Sequence, residues 1–496
     1  ARKMKNYILG IDQGSTGSKV LVVDAKGEVV CSAYRGIDSF CPHEGWVEHD
    51  PDAVWQSVRE AILEVAEQFD MCQIRAIGIT DQRETTILWE RATGKALTPA
   101  VSWQCVRSQA IVDSWAQWSD EITETTGLPN HTYYSASKIA WLLEQNPGLR
   151  ERCEKGEICF GTINTWVLWN LTGGKSHLTD SSNAGRTMFF DVRKDQWSES
   201  LIEKFNIPKA ILPGVLPCDG NFGMAVEPAE AFQEPIPIMA SIGDQMSALF
   251  GQACFERGEA KCSIGTCLNL VTYTGEYAAP QCGIYPAVAS NDSGNLTFEI
   301  EGGVNVAGSI NEWLVHQLGV ADSPKEVSEL ASQVESTDGA YFVPAFGGLF
   351  APHWNNGARG LIIGLSRFHD KRHICRAAVE SIALQTNDII ELLRESFGVD
   401  IKVLRVDGGV AKSDFIMQLM ANILNCRIER PKNTDRTPMG AVYLAGLSSK
   451  LWKDRDELKK LWVLDRAFEP DMDPAKRQAL IDGWQEAVKR SFDWIK

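Results

Sequence analysis

The stretch 7-YILGIDQGSTGSKVLVVDAKGEVV-30 decides the fold of this chain. Apolar runs of strand length alternate in it with short turns, in the order YILGI, DQGSTGS, KVLVVD and AKGEVV. Such runs, bounded by clusters of Gly, Asp and Ser, are typical of β-strands joined by tight turns. The segment therefore predicts a meander of adjacent strands.

A helix and a further strand follow the meander. Asp50 and Pro51 make a good N-cap and first-turn pair before AVWQSVREAILEVAEQF, whose apolar residues recur at helical spacing. IRAIGIT then returns as a buried strand and ends at the polar cluster DQRETT. A meander, a helix and another strand in this order indicate a ribonuclease-H-like lobe.

The length of 496 residues predicts more than one domain. Residues 207–238 are dense in Pro and Gly, as connections between lobes often are. A second series of strand, glycine-turn and helix signals follows, in ASIGDQMSALFGQA, AKCSIGTCLNLVTYTG and EIEGGVNVAGSINEWL. We therefore predict an α/β protein with two lobes, residues 1–239 and 240–496, and a cleft between them.

Composition excludes several classes of partner. A net charge of -16 repels the phosphates of nucleic acids and anionic lipid surfaces. If such a protein binds ATP, the negative charge of the ATP needs local compensation by a metal ion, backbone N–H groups and a few cations. The 13 cysteines include no C-x-x-C pair, the start ARKMKNYILGID has no signal-peptide pattern, and no apolar run is long enough for a membrane span. We expect a cytoplasmic protein with reduced thiols that binds neither nucleic acid nor membrane.

The hairpin DQGSTGSK, residues 12–19, is the first candidate for chemistry. Glycine lets backbone N–H groups and hydroxyls approach phosphates closely, Lys19 supplies a countercharge, and Asp12 can hold Mg²⁺ through water. It is not a Walker A loop, because G-x-x-x-x-G-K-[ST] is absent. On turn-residue frequencies alone, an ordinary tight turn is the commoner explanation.

Asp244, in the sequence IGDQ, is the candidate catalytic base. It stands at the end of an apolar strand, and phosphorylation of an alcohol needs a base near the attacking hydroxyl and little other covalent chemistry. The alternative is that Asp244 only caps the helix that begins nearby. Gly265 and Thr266, and the pair Gly408 and Gly409, are further turns whose backbone can hold phosphate or flank a nucleotide, although each alone is commonplace.

Arg83 and Glu84, with Trp103 and Tyr133, fit a small polyol. The two charged groups supply donors and acceptors for hydroxyls, and an aromatic face covers the carbon chain. The alternative is a surface ion pair and two core aromatics, since the chain has 16 Trp.

Taken together, these segments resemble the FGGY carbohydrate kinase family along nearly the whole chain. The residues that carry the resemblance are GIDQGSTGSK, GWVEHDP, IGITDQRETTILWE, VSWQC, YSASKIAWLL, FGTINTWVLW, TDSSNAGRTMFF, IGDQMSALFGQ, GTCLN, VPAFGGLFAPHW, GLIIGLSRFHDKRHICRAAVESIALQT, RVDGGVAKSDF and IERP. The resemblance implies two ribonuclease-H-like, actin-like ATPase lobes with ATP and substrate in the cleft. It implies phosphorylation of a terminal hydroxyl of a small polyol, with glycerol as the leading candidate, by a homodimer or homotetramer that uses ATP and Mg²⁺.

The resemblance also assigns roles to residues. Asp244 is the implied base, and Asp12 and Asp244 are the implied Mg²⁺ contacts through water. The implied substrate contacts are Arg83, Glu84, Trp103, Tyr133, Asp244 and Gln245. The implied ATP contacts are Ser15, Thr16, Lys19, Thr266, Gly308, Glu312, Gly409, Val410 and Ser413.

One departure from the family pattern leaves the identity of the substrate undecided. Members of the family that act on glycerol have a pocket phenylalanine where this chain has Asn269. A buried amide must find partners, so it favours a more hydroxylated ligand such as a tetritol, a pentitol, xylulose or ribulose. A more distant alternative is an actin-like ATP-binding scaffold without a small-molecule acceptor, which leaves Arg83 and Glu84 without a purpose.

Overall fold

The computed structural model describes residues 4–496, which form two lobes, each built on a β-sheet with helices packed against it. The strands of the first sheet are, in spatial order, Met224–Ala225, Ile236–Gly243, Ile74–Asp81, Tyr7–Gln13, Gly17–Val23 and Val29–Gly36. Those of the second sheet are Tyr285–Asp292, Asn295–Val304, Leu268–Gly275, Glu259–Ile264, Val403–Asp407, Arg427–Pro431 and Leu464–Phe468. The predicted α/β fold with two lobes and a cleft is confirmed.

The opening stretch forms the predicted meander. Tyr7–Gln13 pairs antiparallel with Gly17–Val23, which pairs antiparallel with Val29–Gly36. Ile74–Asp81 then adds in parallel on the other side of Tyr7–Gln13. In the first strand, Ile8, Leu9 and Ile11 are fully buried, which is why the apolar run of the sequence predicts it so clearly.

Small two-stranded sheets complete the strand content of residues 4–496. These pairs are Phe190–Asp191 with Gln196–Trp197, Leu178–Asp180 with Gly214–Leu216, Tyr341–Val343 with Leu361–Ile363, Glu48–His49 with Ala100–Val101, and Ile87–Glu90 with Ile158–Gly161.

Helices cover both sheets. They are Pro51–Gln68, Gln109–Ser114, Ser119–Thr126, Ser135–Gln145, Pro147–Glu154, Ile163–Leu171, Ser181–Ala184, Glu199–Lys204, Asp244–Gly251, Ser309–Trp313, Pro324–Ser332, Lys371–Phe397, Asp414–Leu424, Arg436–Ser448, Arg455–Leu461 and Pro474–Ser491. The helix that Asp50 and Pro51 predict begins at Pro51, and the Asp50 side chain accepts a hydrogen bond from the Asp52 N–H. None of the helices within residues 4–496 combines the length and the apolar composition that crossing a membrane requires.

Two helices join the lobes, Asp244–Gly251 and Arg436–Ser448, and they pack very closely. A Cβ atom on Gly440 would lie 1.8 Å from the Ser247 carbonyl oxygen, and one on Gly251 would lie 2.2 Å from the Arg436 carbonyl oxygen. Glycine is therefore required on both sides of this crossing. We call this contact the glycine crossing.

The helix Arg436–Ser448 also packs on the first sheet, although it comes from the second half of the chain. A Cβ atom on Gly78 would lie 2.2 Å from the Ala441 carbonyl oxygen, so the strand and the helix touch directly. The strand Ile236–Gly243 belongs to the same first sheet, beside Ile74–Asp81. It contains the predicted boundary between residues 239 and 240, and that boundary stays a prediction. Its end places Asp244 between the lobes.

Candidate active site

Two cavities contain most of the predicted site residues, one lined from both lobes and one lined from the second half of the chain. The first, which we call the charged cavity, has a volume of about 480 Å³ and is lined from both lobes, by residues that include Ser15, Arg83 and Trp103 on one side and Asp244 and Glu301 on the other. The second, the glycine cavity, has a volume of about 690 Å³ and is lined by Gly265, Thr266, Gly308, Glu312, Gly409, Val410 and Ser413 among others. Most of the predicted site residues thus fall into two groups that the fold keeps apart, whereas Asp12, Thr16 and Lys19 lie on the hairpin and line neither cavity.

Two arginines and three carboxylates form the floor of the charged cavity. An Arg83 Nη donates to Glu301 Oε1 at 2.6 Å, and Arg83 Nε lies 3.4 Å from Asp244 Oδ1. Arg186 Nε donates to Glu84 Oε1 at 2.6 Å, and an Arg186 Nη lies 3.4 Å from Glu301 Oε2. Because Arg83, Glu84 and Arg186 are at least nine-tenths buried, these charges interact strongly and are held in place.

Glu84 has an unusual backbone. Its φ of 66° lies in the left-handed region, which costs a residue with a Cβ about 1–3 kcal/mol and persists only where neighbours enforce it. The hydroxyls of Thr86 and Ser135 both donate to the Glu84 carbonyl, at 2.8 and 2.9 Å. With this backbone conformation, the Glu84 carboxylate lies against Arg186.

Aromatic side chains form one wall of the charged cavity. The rings of Trp103 and Tyr133 lie 5.4 Å apart at 59°, and the Arg186 guanidinium lies 5.6 Å from the centre of the Tyr133 ring. Trp103 Nε1 donates to Ser15 Oγ at 3.0 Å. Ser15 therefore lies on the wall of the charged cavity, at the edge of the hairpin that contains it. An apolar face beside charged groups suits a ligand with hydroxyls on a short carbon chain.

Asp244 is the first residue of its helix, directly after the strand Ile236–Gly243. The residue in the N-cap position is Gly243, whose N–H donates to Ser182 Oγ at 3.0 Å. The Asp244 side chain is 32% exposed and faces the cavity. Burial raises the pKa of Asp244, and the charges of Arg83 and Lys261 oppose that rise. A carboxylate with raised proton affinity at a cavity wall is suited to act as a base.

Gln245 is fixed by a buried lysine. Lys261 Nζ donates to Gln245 Oε1 at 2.5 Å and to Ser263 Oγ at 3.0 Å. Lys261 is 1% exposed and lies on the strand Glu259–Ile264 of the second sheet. The Gln245 carbonyl is thereby occupied, so its amide N–H₂ is the end that is available to a ligand.

The hairpin 12–19 brings a carboxylate close to two others. Burial and the carboxylates of Asp244 and Asp435 raise the pKa of Asp12 to about 8, and Lys19 opposes the rise. Lys19 forms an ion pair with Asp435. Thr16 Oγ1 accepts a hydrogen bond from the Tyr34 hydroxyl at 3.4 Å. On this hairpin, Asp12 therefore interacts with the charge of Asp244, and Lys19 pairs with Asp435 from the second half of the chain.

The glycine cavity is formed where two turns touch. Gly308 N–H donates to the Gly265 carbonyl at 2.8 Å, and a Cβ atom on Gly308 would lie 2.4 Å from the same oxygen. Gly408 has a φ of 90°, which suits glycine, and it precedes the short helical turn Gly409–Lys412. The cavity is lined by the polar backbone of these glycine turns and by the apolar side chains of Val410, Phe415 and Ile416.

Metal ligands do not cluster densely in the part of the chain that the structure describes. Within residues 4–496, no group of three or more His, Cys, Asp or Glu side chains has the arrangement of a metal centre. The carboxylates of Asp244 and Asp435 nevertheless both act on that of Asp12. Mg²⁺ keeps several water ligands and needs only one or two carboxylates, so this sparse arrangement fits it.

Sequence reasoning assigned no role to Arg186, Glu301, Lys261 and Asp435. Arg186 lies in TDSSNAGRTMFF and Glu301 in EIEGG, and neither stretch has a catalytic spacing of its own. The signal for Glu301 is its place on a strand, because a glutamate on the strand Asn295–Val304 beside buried apolar residues needs a cationic partner. These residues complete the charge balance around Arg83 and Asp12.

Comparisons with known proteins agree with this geometry. The model of the FGGY family of carbohydrate kinases, N-terminal domain, matches residues 7–251, and that of the C-terminal domain matches residues 260–449. The chain is 43% identical to glycerol kinase 2 of Thermotoga maritima over 495 residues, covering 99% of each protein, and 43% identical to the glycerol kinase of Pseudothermotoga lettingae over 500 residues, again covering 99% of each.

Solved structures share the fold. A crystal structure of Plasmodium falciparum glycerol kinase with ADP superimposes with a TM-score of 0.93 at 36% identity and covers 98% of both chains. A ligand-bound xylulose kinase from Lactobacillus acidophilus has a TM-score of 0.86 at 23% identity, covering 98% of this chain and 96% of that one, which shows a shared fold.

Proposed function

Because this chain belongs to the FGGY family of carbohydrate kinases, we propose that it transfers a phosphoryl group from ATP to a terminal hydroxyl of glycerol. The enzyme is an ATP-dependent carbohydrate kinase, and the product of the proposed reaction is glycerol 3-phosphate. The full-length similarity to glycerol kinases supports the choice of substrate. The observation that carries the proposal is the position of Asp244, which lines the charged cavity with its Oδ1 3.4 Å from Arg83 Nε, and whose charge acts on Asp12 of the hairpin.

The charged cavity has the groups that a small polyol requires. In the proposal, Arg83, Glu84 and Gln245 bind hydroxyls, and Trp103 and Tyr133 cover the carbon chain. The Arg83 and Arg186 guanidinium groups each have N–H groups in a planar fork, and Glu84 offers an acceptor. Enclosure of the substrate between the lobes also excludes water, which would otherwise compete as acceptor.

Asp244 is the proposed base. Its carboxylate accepts the proton of the hydroxyl that attacks the γ-phosphate, and its raised proton affinity suits that task. Arg83, whose Nε lies 3.4 Å from Asp244 Oδ1, favours the ionised form of this carboxylate and so opposes the effect of burial on its pKa. Little other covalent chemistry is needed from the protein, because catalysis of phosphoryl transfer is mainly positioning and charge stabilisation.

The proposed ATP contacts lie in two places. Ser15, Thr16 and Lys19 belong to the hairpin. The others line the glycine cavity: Thr266, Gly308, Glu312, Gly409, Val410 and Ser413. Backbone N–H groups at such turns bind phosphate without a general positive field, which this acidic chain does not have.

Asp12 and Asp244 are the proposed contacts of Mg²⁺, and we propose that both act through water. Burial and the charges of Asp244 and Asp435 together raise the pKa of Asp12 to about 8, and a divalent ion would relieve the repulsion among these carboxylates. When bound, Mg²⁺ offsets the negative charge of the phosphates.

A second candidate substrate is a longer polyol or a ketose, and Asn269 and Asn305 favour it. Both amides are exposed on the wall of the charged cavity. Asn269 pairs with Gly303 across the second sheet, so it stands two residues beyond Glu301 along the neighbouring strand. A tetritol or pentitol bound at Arg83 extends further along this wall than glycerol does, and we expect its additional hydroxyls to be the ones that these amides bind.

We also propose the reducing cytoplasm as the location and a homodimer or homotetramer as the assembly. The 13 cysteines of residues 4–496 are all free thiols, which suits a reducing compartment. Size-exclusion chromatography with light scattering measures the assembly directly.

The test combines a substrate screen with one substitution. ADP release is measured with glycerol, erythritol, threitol, xylitol, ribitol, xylulose and ribulose, and the highest kcat/KM identifies the acceptor. In Asp244→Asn, kcat is expected to fall by about 10²–10⁴-fold, the usual contribution of a general base, with ATP affinity nearly intact. Near-normal turnover of Asp244→Asn would refute the role of the base, and absence of turnover with every acceptor would refute the function.

A further inference from the structure

Lys138 is a fully buried lysine whose ammonium group faces the backbone beside Tyr133. It is 0% exposed and lies in the first turn of the helix Ser135–Gln145. Its Nζ donates to the carbonyl of Thr132 and lies 3.5 Å from the carbonyl of Tyr134. These carbonyls belong to the residues before and after Tyr133, so one side chain contacts the backbone on both sides of it.

This lysine is poorly placed to stabilise the fold. Across residues 4–496, Lys138 takes part in no ion pair, and the charged or titratable groups whose charges interact with it include Cys105, Glu84, Arg107 and His131. Burial lowers the pKa of Lys138 to about 8, which records the free energy lost on removing its charge from water. A positive charge in the first turn of a helix is also opposed by the helix dipole. A buried cation that costs stability is retained for some other reason.

The same helical turn holds the other segments that line the charged cavity. Ser135 Oγ donates to the carbonyl of Glu84 at 2.9 Å. The Ala136 N–H donates to the carbonyl of Thr187, which follows Arg186, at 2.9 Å. Three residues of this turn, Ser135, Ala136 and Lys138, therefore contact the backbone at or next to the cavity-lining residues Glu84, Arg186 and Tyr133.

We propose that Lys138 is a positioning residue that fixes Tyr133 against the acceptor through the carbonyls of Thr132 and Tyr134. It touches neither substrate nor the reacting atoms. The inference rests on the proposed function, because the acceptor is the molecule that Tyr133 covers. Loss of the ammonium group frees the 131–134 segment, and the Tyr133 ring then covers the carbon chain only part of the time.

The main test is Lys138→Met, which keeps the apolar stem and removes the charge. The KM for the acceptor is expected to rise at least tenfold, with the KM for ATP unchanged within twofold. The melting temperature is expected to change by no more than about 3 °C, because relief of the buried charge offsets the loss of two hydrogen bonds. Lys155→Met, at an exposed lysine that pairs with Glu151, is the matched control and leaves all of these values unchanged.

A double-mutant cycle tests whether the effect passes through Tyr133. If it does, Lys138→Met adds less than threefold to the acceptor KM of Tyr133→Leu, whereas independent effects multiply. An unchanged acceptor KM in Lys138→Met, or a full multiplication in the cycle, would overturn the inference. So would failure of both Lys138→Met and Lys138→Gln to fold, since that marks a structural lysine. Wild-type protein without acceptor-dependent ADP release would instead refute the proposed function.

Discussion

Replacing Gly440 with alanine is expected to damage both stability and turnover, although this residue touches neither cavity. Gly440 lies in the glycine crossing, where a Cβ atom would stand 1.8 Å from the Ser247 carbonyl oxygen. This is about 1.6 Å short of the 3.4 Å at which ordinary van der Waals contact begins. The neighbour is backbone, so a side-chain rotation cannot relieve the clash and the two helices must separate.

The size of the effect follows from that displacement. Overpacking of this kind costs about 1–3 kcal/mol, which corresponds to a fall in melting temperature of about 3–10 °C. Ser247 lies one turn after Asp244 on the same helix, so a shift at the crossing moves the proposed base. Misplacement of a reacting group by about 1 Å lowers the rate by about 100-fold. We therefore expect kcat to fall by about 10–100-fold while acceptor KM changes less.

The assay pairs thermal unfolding with steady-state kinetics at a temperature where both proteins are folded. Gly148→Ala is the matched control, because no heavy atom lies within 4 Å of its Cβ position and it lies in the helix Pro147–Glu154. Alanine is the better helix former, so this control should keep or slightly raise the melting temperature. Wild-type kcat and melting temperature in Gly440→Ala would refute the argument that the crossing positions Asp244.

Three further outcomes are expected. Glu301→Leu leaves Arg83 and Arg186 with too little negative charge, and the free energy of unfolding in denaturant titrations should fall by about 3–5 kcal/mol, with a smaller loss in Glu301→Gln. Gly308→Ala would bring a Cβ within 2.4 Å of the Gly265 carbonyl oxygen in the glycine cavity. The KM for ATP should therefore rise at least tenfold, with little change in the KM for the acceptor. Equal changes in both KM values would contradict the proposal that ATP and acceptor bind in separate cavities. Burial lowers the pKa of His177 to about 4, below its unfolded value, so the unfolded chain binds the proton more readily. The neutral His177 therefore costs no stability above about pH 6.5, and the free energy of unfolding falls by at most about 3 kcal/mol as pH falls from there toward 4. In His177→Gln, the plot of unfolding free energy against pH should be flatter over this range. An unchanged slope would refute the assignment to His177.

The parts of the fold that could be predicted from the sequence are those set by local pattern. The strands Tyr7–Gln13 and Ile74–Asp81 are apolar runs bounded by turn residues, and Asp50 and Pro51 begin the helix that their chemistry predicts. The helix Arg436–Ser448 is different, because nearly all of its residues are buried and no polar face marks its orientation. Its packing on the first sheet, more than 350 residues away in the chain, therefore has no local signal.

The candidate site divides in the same way. Asp244, Arg83 and the hairpin could be predicted because each stands at the end of a strand, where side chains reach a cleft. Their charge partners could not, since Glu301 lies 218 residues from Arg83 and Asp435 lies 416 residues from Lys19. Nothing in the sequence around either carboxylate indicates which cation it meets, because only the closure of one lobe on the other brings them together.

The turn after the strand Glu259–Ile264 contributes to both cavities within five residues. Gly265 and Thr266 line the glycine cavity, and Cys267, Leu268 and Asn269 line the charged cavity. In the course of evolution, an insertion or a change of backbone here would alter the proposed nucleotide site and the proposed acceptor site together. For descendants of this protein, substitutions at Tyr133 and Arg186 change the charged cavity alone, because neither residue lines the glycine cavity.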